Sequence, residues 1–313
     1  MTWLLWRQGR SENLLVAAML GAVAAFMLLT GANMHSAFGS SGLSQCTSDA
    51  AKLPTICSLQ VNIFVQRFDG LNQLGPWLSL VPGLIGVLLA TPLVLELDQG
   101  TYRLAWTQSI TPRRWLTTRL ALLLLAVAVC GLTVIALGTY WRQPLDSFSG
   151  RVGPSAFDLE GIVPIAYILF AAAAVLAIGA VSRRSGLAVA GGFGAYLLVR
   201  LVLRSARDKL ITPLHTLSRP PSGPQGIRHS WIISQSYTMP GSRGNAYNVL
   251  RSCITSDGSL DSRCMSHHNI FSSWTYEPPS RFWPLQSIEA GIFLVLSAIL
   301  IAVAVWWIRH RIA

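Results

Sequence analysis

The sequence predicts an all-α membrane protein of six transmembrane helices, with a small loop-rich cap between helices five and six. Three observations predict it. The hydrophobic share is 52% and only 12% of residues are charged, against about 25% charged in an ordinary soluble domain. Six apolar runs approach the ~20 residues needed to cross a bilayer: roughly 14–32, 76–97, 117–139, 161–181, 186–203 and 287–308. The longest polar stretch, 204–285, falls between the last two runs. The expected division is a membrane domain over 1–203 with a cytosolic loop at 97–115, an extracellular cap over 204–285, and a last span with a cytosolic tail over 286–313.

Span one, from Asn13 to Gly31, is longer than the 7–15-residue core of a signal peptide and no small-residue cleavage site ends it, so it is expected to stay attached. Before it, Trp3, Leu4, Leu5 and Trp6 stand with Arg7 and Arg10. They suit either a short helix in the interface plane or an aromatic anchor for the span. In the segment 33–75, Leu59–Phe68 reads as an amphipathic piece for the membrane surface. Span two contains Pro76, Pro82 and Pro92, which are tolerated where neighbouring helices re-satisfy the freed carbonyls and which suggest kinks. Gly83 and Gly86 there allow bending or close packing. The segment 140–160 reads as a short loop, with Pro144, Gly150, Gly153 and Pro154 as turn signals. Span five carries small residues four apart, Ala188/Gly192, Ala190/Gly194 and Gly191/Ala195. That spacing lets helix backbones approach closely, whether within one subunit or between two. In the cap, Trp231–Tyr237 and Ile270–Tyr276 have strand character.

The net charge of +11 does not indicate nucleic acid, because the arginines lie beside the spans and form no soluble basic domain. Arg7 and Arg10, then Arg103, Arg113, Arg114 and Arg119, then Arg183 and Arg184, and finally Arg309 and Arg311 all fall on one side of a six-span chain. The positive-inside rule makes that side, and both termini, cytosolic in a multi-pass plasma-membrane protein. The same arginines can meet lipid phosphates. The long Arg-bearing segment 204–285 falls outside, where the rule does not apply.

Four of the five cysteines fall on the outer side: Cys46, Cys57, Cys253 and Cys264. An oxidising face favours the local disulfides Cys46–Cys57 and Cys253–Cys264, although four cysteines allow three connectivities. Cys130 lies within span three and reads as packing. Cys264, His267 and His268 form a corner with no further ligand, so a disulfide beside two histidines is expected and no metal site. At the outer membrane face, Arg200, Arg204 and Glu289 form a charge cluster, read as an Arg–Glu pair tying cap to bundle, with contact to a substrate headgroup as the alternative.

The stretch after span two carries the functional signal. Glu96 ends the span and Gly100 permits a sharp reversal. Thr101 can cap a following short helix. Tyr102 and Trp106, four apart, share one face of it and offer an aromatic anchor for a partner. Arg103 supplies a charge for a carboxylate. Thr111-Pro112 reads as an N-cap with proline at the first helical position, so span three starts there.

The segment Thr91-Pro92-Leu93-Val94-Leu95-Glu96-Leu97-Asp98-Gln99-Gly100-Thr101-Tyr102-Arg103-Leu104-Ala105-Trp106-Thr107-Gln108-Ser109, with Arg113-Arg114-Trp115-Leu116, resembles actinobacterial ABC-2-type permeases. Tyr276-Glu277-Pro278-Pro279-Ser280-Arg281-Phe282-Trp283-Pro284-Leu285-Gln286-Ser287-Ile288-Glu289 is similar to that family's approach to its last span. The resemblance covers most of the chain and is loose in the outer loops. It implies an ABC-2, type V exporter-like fold, two permease chains (homodimer or heterodimer), and two cytosolic ABC ATPase subunits. It also implies that Glu96, Gly100 and Thr101 belong to the coupling region. Where the family often has arginine before that glutamate, this chain has Leu95.

No Gly-x-x-x-x-Gly-Lys-Ser/Thr occurs, and Lys52 and Lys209 are the only lysines. ATP and Mg are therefore expected on the partner, with no cofactor and no catalytic residue in this chain. Neither a His-Glu-x-x-His nor a Gly-x-Ser-x-Gly is present. The resulting expectation is an exporter of an amphipathic or hydrophobic substrate, such as a lipid or a drug. The rivals are a sensor or resistance complex that moves nothing, and a membrane transferase on lipid-linked substrates using Asp49 and Asp69.

Overall fold

The computed structural model describes residues 10–43, 46, 54–100, 111–219, 227, 229–239, 246–255 and 260–312. Among them six helical stretches are long and apolar enough to cross a membrane: Ala17–Ser40, Cys57–Asp98, Arg113–Ser149, Val163–Ser182, Ser185–Leu210 and Pro279–His310. They lie where the six apolar runs do.

The helices are α1 (Arg10–Ser40), α2 (Pro54–Gln73), the short α3 (Gly75–Leu78), α4 (Val81–Asp98), α5 (Pro112–Ser149), the short α6 (Pro154–Phe157), α7 (Val163–Ser182) and α8 (Ser185–Leu210). Strands β1 (Leu214–Ser218) and β2 (Trp231–Thr238) follow, then α9 (Ala246–Ser252), α10 (Ser262–His267), β3 (Phe271–Glu277) and α11 (Phe282–Trp307).

α7 is the central post. Its sequence is apolar all round, so it has no solvent face to present, and α4, α8, α11 and α5 pack around it. Small residues set the spacing. A Cβ on Gly86 of α4 would lie 2.2 Å from the Ile168 carbonyl oxygen, and one on Gly192 of α8 would lie 2.8 Å from the Val175 backbone nitrogen. Both helices approach α7 backbone to backbone, the small-residue mode of association in lipid. The pairs of small residues on α8 therefore part company, with Gly191 and Ala195 half-buried between two extremes. Ala188 and Gly192 are buried against the bundle, whereas Ala190 and Gly194 are exposed on its outside.

Several elements outrun the sequence reading. α5 continues through Pro144 to Ser149 where a loop is expected, and α8 runs on to Leu210. A proline is tolerated in such a position because neighbours can satisfy the carbonyl it frees. The cap is not only loop. Its three strands form an antiparallel sheet in the order β1-β3-β2, with a register shift between Ile232 and Ser234. Cys253–Cys264 staples α9 to α10, and Cys46–Cys57 ties the end of the first span to α2, with Cα atoms 5.4 Å apart in each pair. The local connectivity is thus the one formed. His268 lies beside the second disulfide, whose sulfurs are both committed to each other.

Candidate functional site

The bundle has two polar ends. At the first, α4, α5, α7 and the C-terminal end of α11 meet around Leu93, Leu97, Trp115, Leu116, Ala180, Ala304 and Ile308. This end carries exposed Arg113, Arg114, Arg183, Arg184 and Arg309. Glu96, on the last turn of α4, forms an ion pair with Arg119 of α5. Two residues on, Asp98 Oδ2 accepts from the backbone N–H of Ser185, at 3.0 Å, and from its hydroxyl, at 2.7 Å. Gly100 then has φ +70°, and nothing lies within 4 Å of where its Cβ would be. The left-handed conformation, not crowding, is what requires glycine there. Thr101, Tyr102, Arg103 and Trp106 lie outside the described residues. Thr111 is extended, its hydroxyl accepts from Arg114 N–H at 3.4 Å, and α5 starts at Pro112. The turn between α4 and α5 is therefore bounded by a left-handed glycine and a capping threonine.

The other end holds a buried ion network. Arg207 donates from Nη2 to Asp158 Oδ1 at 2.6 Å and from Nε to Glu289 Oε2 at 2.9 Å. Arg200 donates to Asp158 Oδ2 at 2.9 Å and to the hydroxyl of Ser79. The Tyr167 hydroxyl donates to Glu289 Oε1 at 2.5 Å. Arg200 is 4% exposed and the other three charged residues no more than 1%. Two guanidinium groups face two carboxylates, so the network is neutral overall, and it joins α8, α11, α7, the α6–α7 connector and the entry to α4. Arg207 also lies over the Phe157 ring, 4.1 Å from its centroid. Burial alone would raise the Asp158 carboxyl pKa; Arg207 and then Arg200 outweigh it and hold the group below its ordinary value.

The connector itself is buried, with Val152, Phe157, Asp158, Leu159 and Glu160 all inside. Buried irregular backbone needs internal partners, and Gln286 of α11 supplies them. Its Oε1 accepts from Ile162 N–H and Val163 N–H, at 3.1 and 3.0 Å, and its Nε2 donates to the carbonyls of Phe157 and Glu160, at 2.9 and 3.0 Å. Gly161 has φ +70°, and a Cβ there would strike the Gln286 side chain at 2.7 Å. Arg151 pairs with Glu160, and Arg142 with Asp146 at 3.0 Å.

The expected partnership of Arg200 or Arg204 with Glu289 is corrected by this geometry. The partner of Glu289 is Arg207, Arg200 joins through Asp158, and Arg204 takes no part among the described residues. The reason is helical phase. Residues seven apart on an α-helix nearly eclipse, while four apart they diverge by about 40°. Sequence reasoning missed Asp158, Tyr167, Arg207 and Gln286. The available signal was a pair of acids at 158 and 160 flanked by apolar spans, and a second arginine seven residues after the first.

Residues 17–207 match the family described as ABC-2 membrane transporter related. The chain belongs to that family: it is an ABC-2-type permease, a multi-pass membrane protein built as a transport component. An ABC transporter partnership with an ATPase follows from that membership. No curated protein and no solved structure matches the chain.

Proposed function

We propose that this chain is the membrane-spanning subunit of an ATP-driven exporter that moves an amphipathic or hydrophobic substrate, a lipid or a drug, out of the cell. Two ATP-binding subunits would dock at the arginine-rich end and a second permease chain would complete the pathway. Both termini and the turn between α4 and α5 would face the cytosol, as the positive-inside rule requires of the exposed arginines at that end.

The observation that carries the reading is the pairing of family membership with that turn. It leaves α4 through a left-handed glycine, its first helix is pinned to a neighbour through Glu96–Arg119, and it re-enters through a capped α5. Two flanking helices pinned to each other through Glu96–Arg119 pass a push on the segment between them to the spans together. The exposed Ala190 and Gly194 on α8 support a contact with the second chain. An apolar pathway between two such bundles suits amphipathic cargo.

The test is reconstitution of the chain with its ATP-binding partner in vesicles, following fluorescent lipids and hydrophobic drugs. ATP-dependent movement of either supports the exporter. Compounds that stimulate ATP hydrolysis while none of them moves would instead establish a sensor.

A further inference from the structure

α8 has described polar contacts at both ends of the bundle, as α5 does through Arg119–Glu96 and Trp141–Thr30. Its first residue, Ser185, is held by Asp98 of α4 through both backbone amide and hydroxyl. Its last turns carry Arg200 and Arg207, which enter the buried network with Asp158 and Glu289. Between these points it is an unbroken helix from Ser185 to Leu210, about 39 Å long at 1.5 Å per residue. It meets α7 through a two-residue joint, where Arg183 adopts φ +52° and Arg184 is extended.

This layout poses a mechanical question. A push on the turn between α4 and α5 reaches those two helices covalently. α8 has no covalent link to the turn, yet it holds the outer network together. Its own N-cap residue, Arg184, contributes no side-chain cap, so the first turn of α8 takes its acceptor from α4. A carboxylate is the favoured partner there, because the amide dipoles leave partial positive charge at a helix N-terminus.

We propose that Asp98 is a transmission residue: by capping α8 from the end of α4, it makes the fifth span move with the coupling turn and carries the displacement to the Asp158–Arg200–Arg207–Glu289 network. The inference rests on the exporter reading above. It assigns Asp98 a positioning role, acting through α8 and touching no cargo. α8 behaves as a lever that the turn drives at one end and that loosens the outer closure at the other.

The experiment uses the full permease assembled with its ATP-binding partner in nanodiscs, with spin labels at Trp77 and Ser205, both exposed near the outer end. Distances are measured without nucleotide and with a non-hydrolysable ATP analogue. In the unsubstituted protein the analogue shifts the distance. Asp98→Ala abolishes the shift while partner binding persists, and Asp98→Asn, whose amide oxygen still accepts, restores it. Ser185→Ala, which keeps the backbone bond, retains at least half of it. A second readout needs no partner: hydrogen exchange of the first-turn amides of α8 rises severalfold in Asp98→Ala and little in Asp98→Asn. A shift that survives in Asp98→Ala, or unaltered exchange there, overturns the inference and leaves the exporter reading intact. Transport without any shift in the unsubstituted protein also overturns it. Absence of ATP-dependent transport removes the exporter reading and this inference together.

Discussion

Charges buried in a bundle stay only if each is answered. Asp158 accepts from both Arg200 and Arg207, so replacing it strands two guanidinium groups against a single remaining carboxylate. Breaking a buried pair by removing one partner costs about 3–5 kcal/mol. Asp158→Asn is therefore expected to lower the unfolding free energy in detergent by that order, read by chemical denaturation. Arg204→Gln, outside the network, should fall within about 0.5 kcal/mol of the parent. The same residue sets an acid limit. A carboxyl whose folded pKa is depressed contributes stability that is fully present above its unfolded value, 3.8, and is lost as pH falls through the folded value. Stability owed to Asp158 should thus be flat from pH 5 to 8 and decline below about pH 4. In Asp158→Asn that decline should shrink, as thermal melts across the pH series would show.

At the scale of elements, hydropathy made the spans legible because every crossing must satisfy one solvent over a fixed thickness. Their ends were less so. α5 and α8 extend beyond the apolar runs because polar residues such as Arg142, Asp146 and Arg207 find partners inside the protein, which composition cannot report. The strands at Trp231–Thr238 and Phe271–Glu277 showed in sequence, while β1 did not, since Leu214–Ser218 is five residues long and is defined by pairing with β3 some sixty residues away. The bounds of the segment between α4 and α5 were readable at Gly100 and Thr111 because capping and reversal are local signals. The ion network was not, because its members are distant in sequence and meet only through tertiary packing. Helix α8 permits a direct comparison of its two faces. Gly192→Leu drives a side chain into the α7 backbone and should reduce folded yield sharply. Gly194→Leu meets open space, so the subunit should fold normally. If Ala190 and Gly194 face a second permease chain, that variant should shift the complex from dimer to monomer in crosslinking or mass measurements in nanodiscs.

For the whole molecule, everything mechanical depends on which end faces the cytosol. The two ends differ in chemistry. One carries Arg113, Arg114, Arg183, Arg184 and Arg309 exposed around a turn pinned by Glu96 and Asp98. The other carries both disulfides, the sheet and the neutral buried network. Disulfides persist where thiols are oxidised, and arginines in short loops are retained on the cytosolic side. Two independent forces therefore point the same way. The prediction is specific to two exposed positions, Ser236 on β2 and Arg114 at the start of α5. In intact cells a membrane-impermeant maleimide should label Ser236→Cys, and should reach Arg114→Cys only after permeabilisation. Cys130 is buried within the third span and should give little background in either case. The opposite pattern would place the segment between α4 and α5, proposed above to meet the ATP-binding subunits, outside, and no arrangement of the outer network could then be driven by ATP. The outcome thus decides whether Asp98, α8 and the Asp158 network form one line of force or three unrelated stabilising contacts.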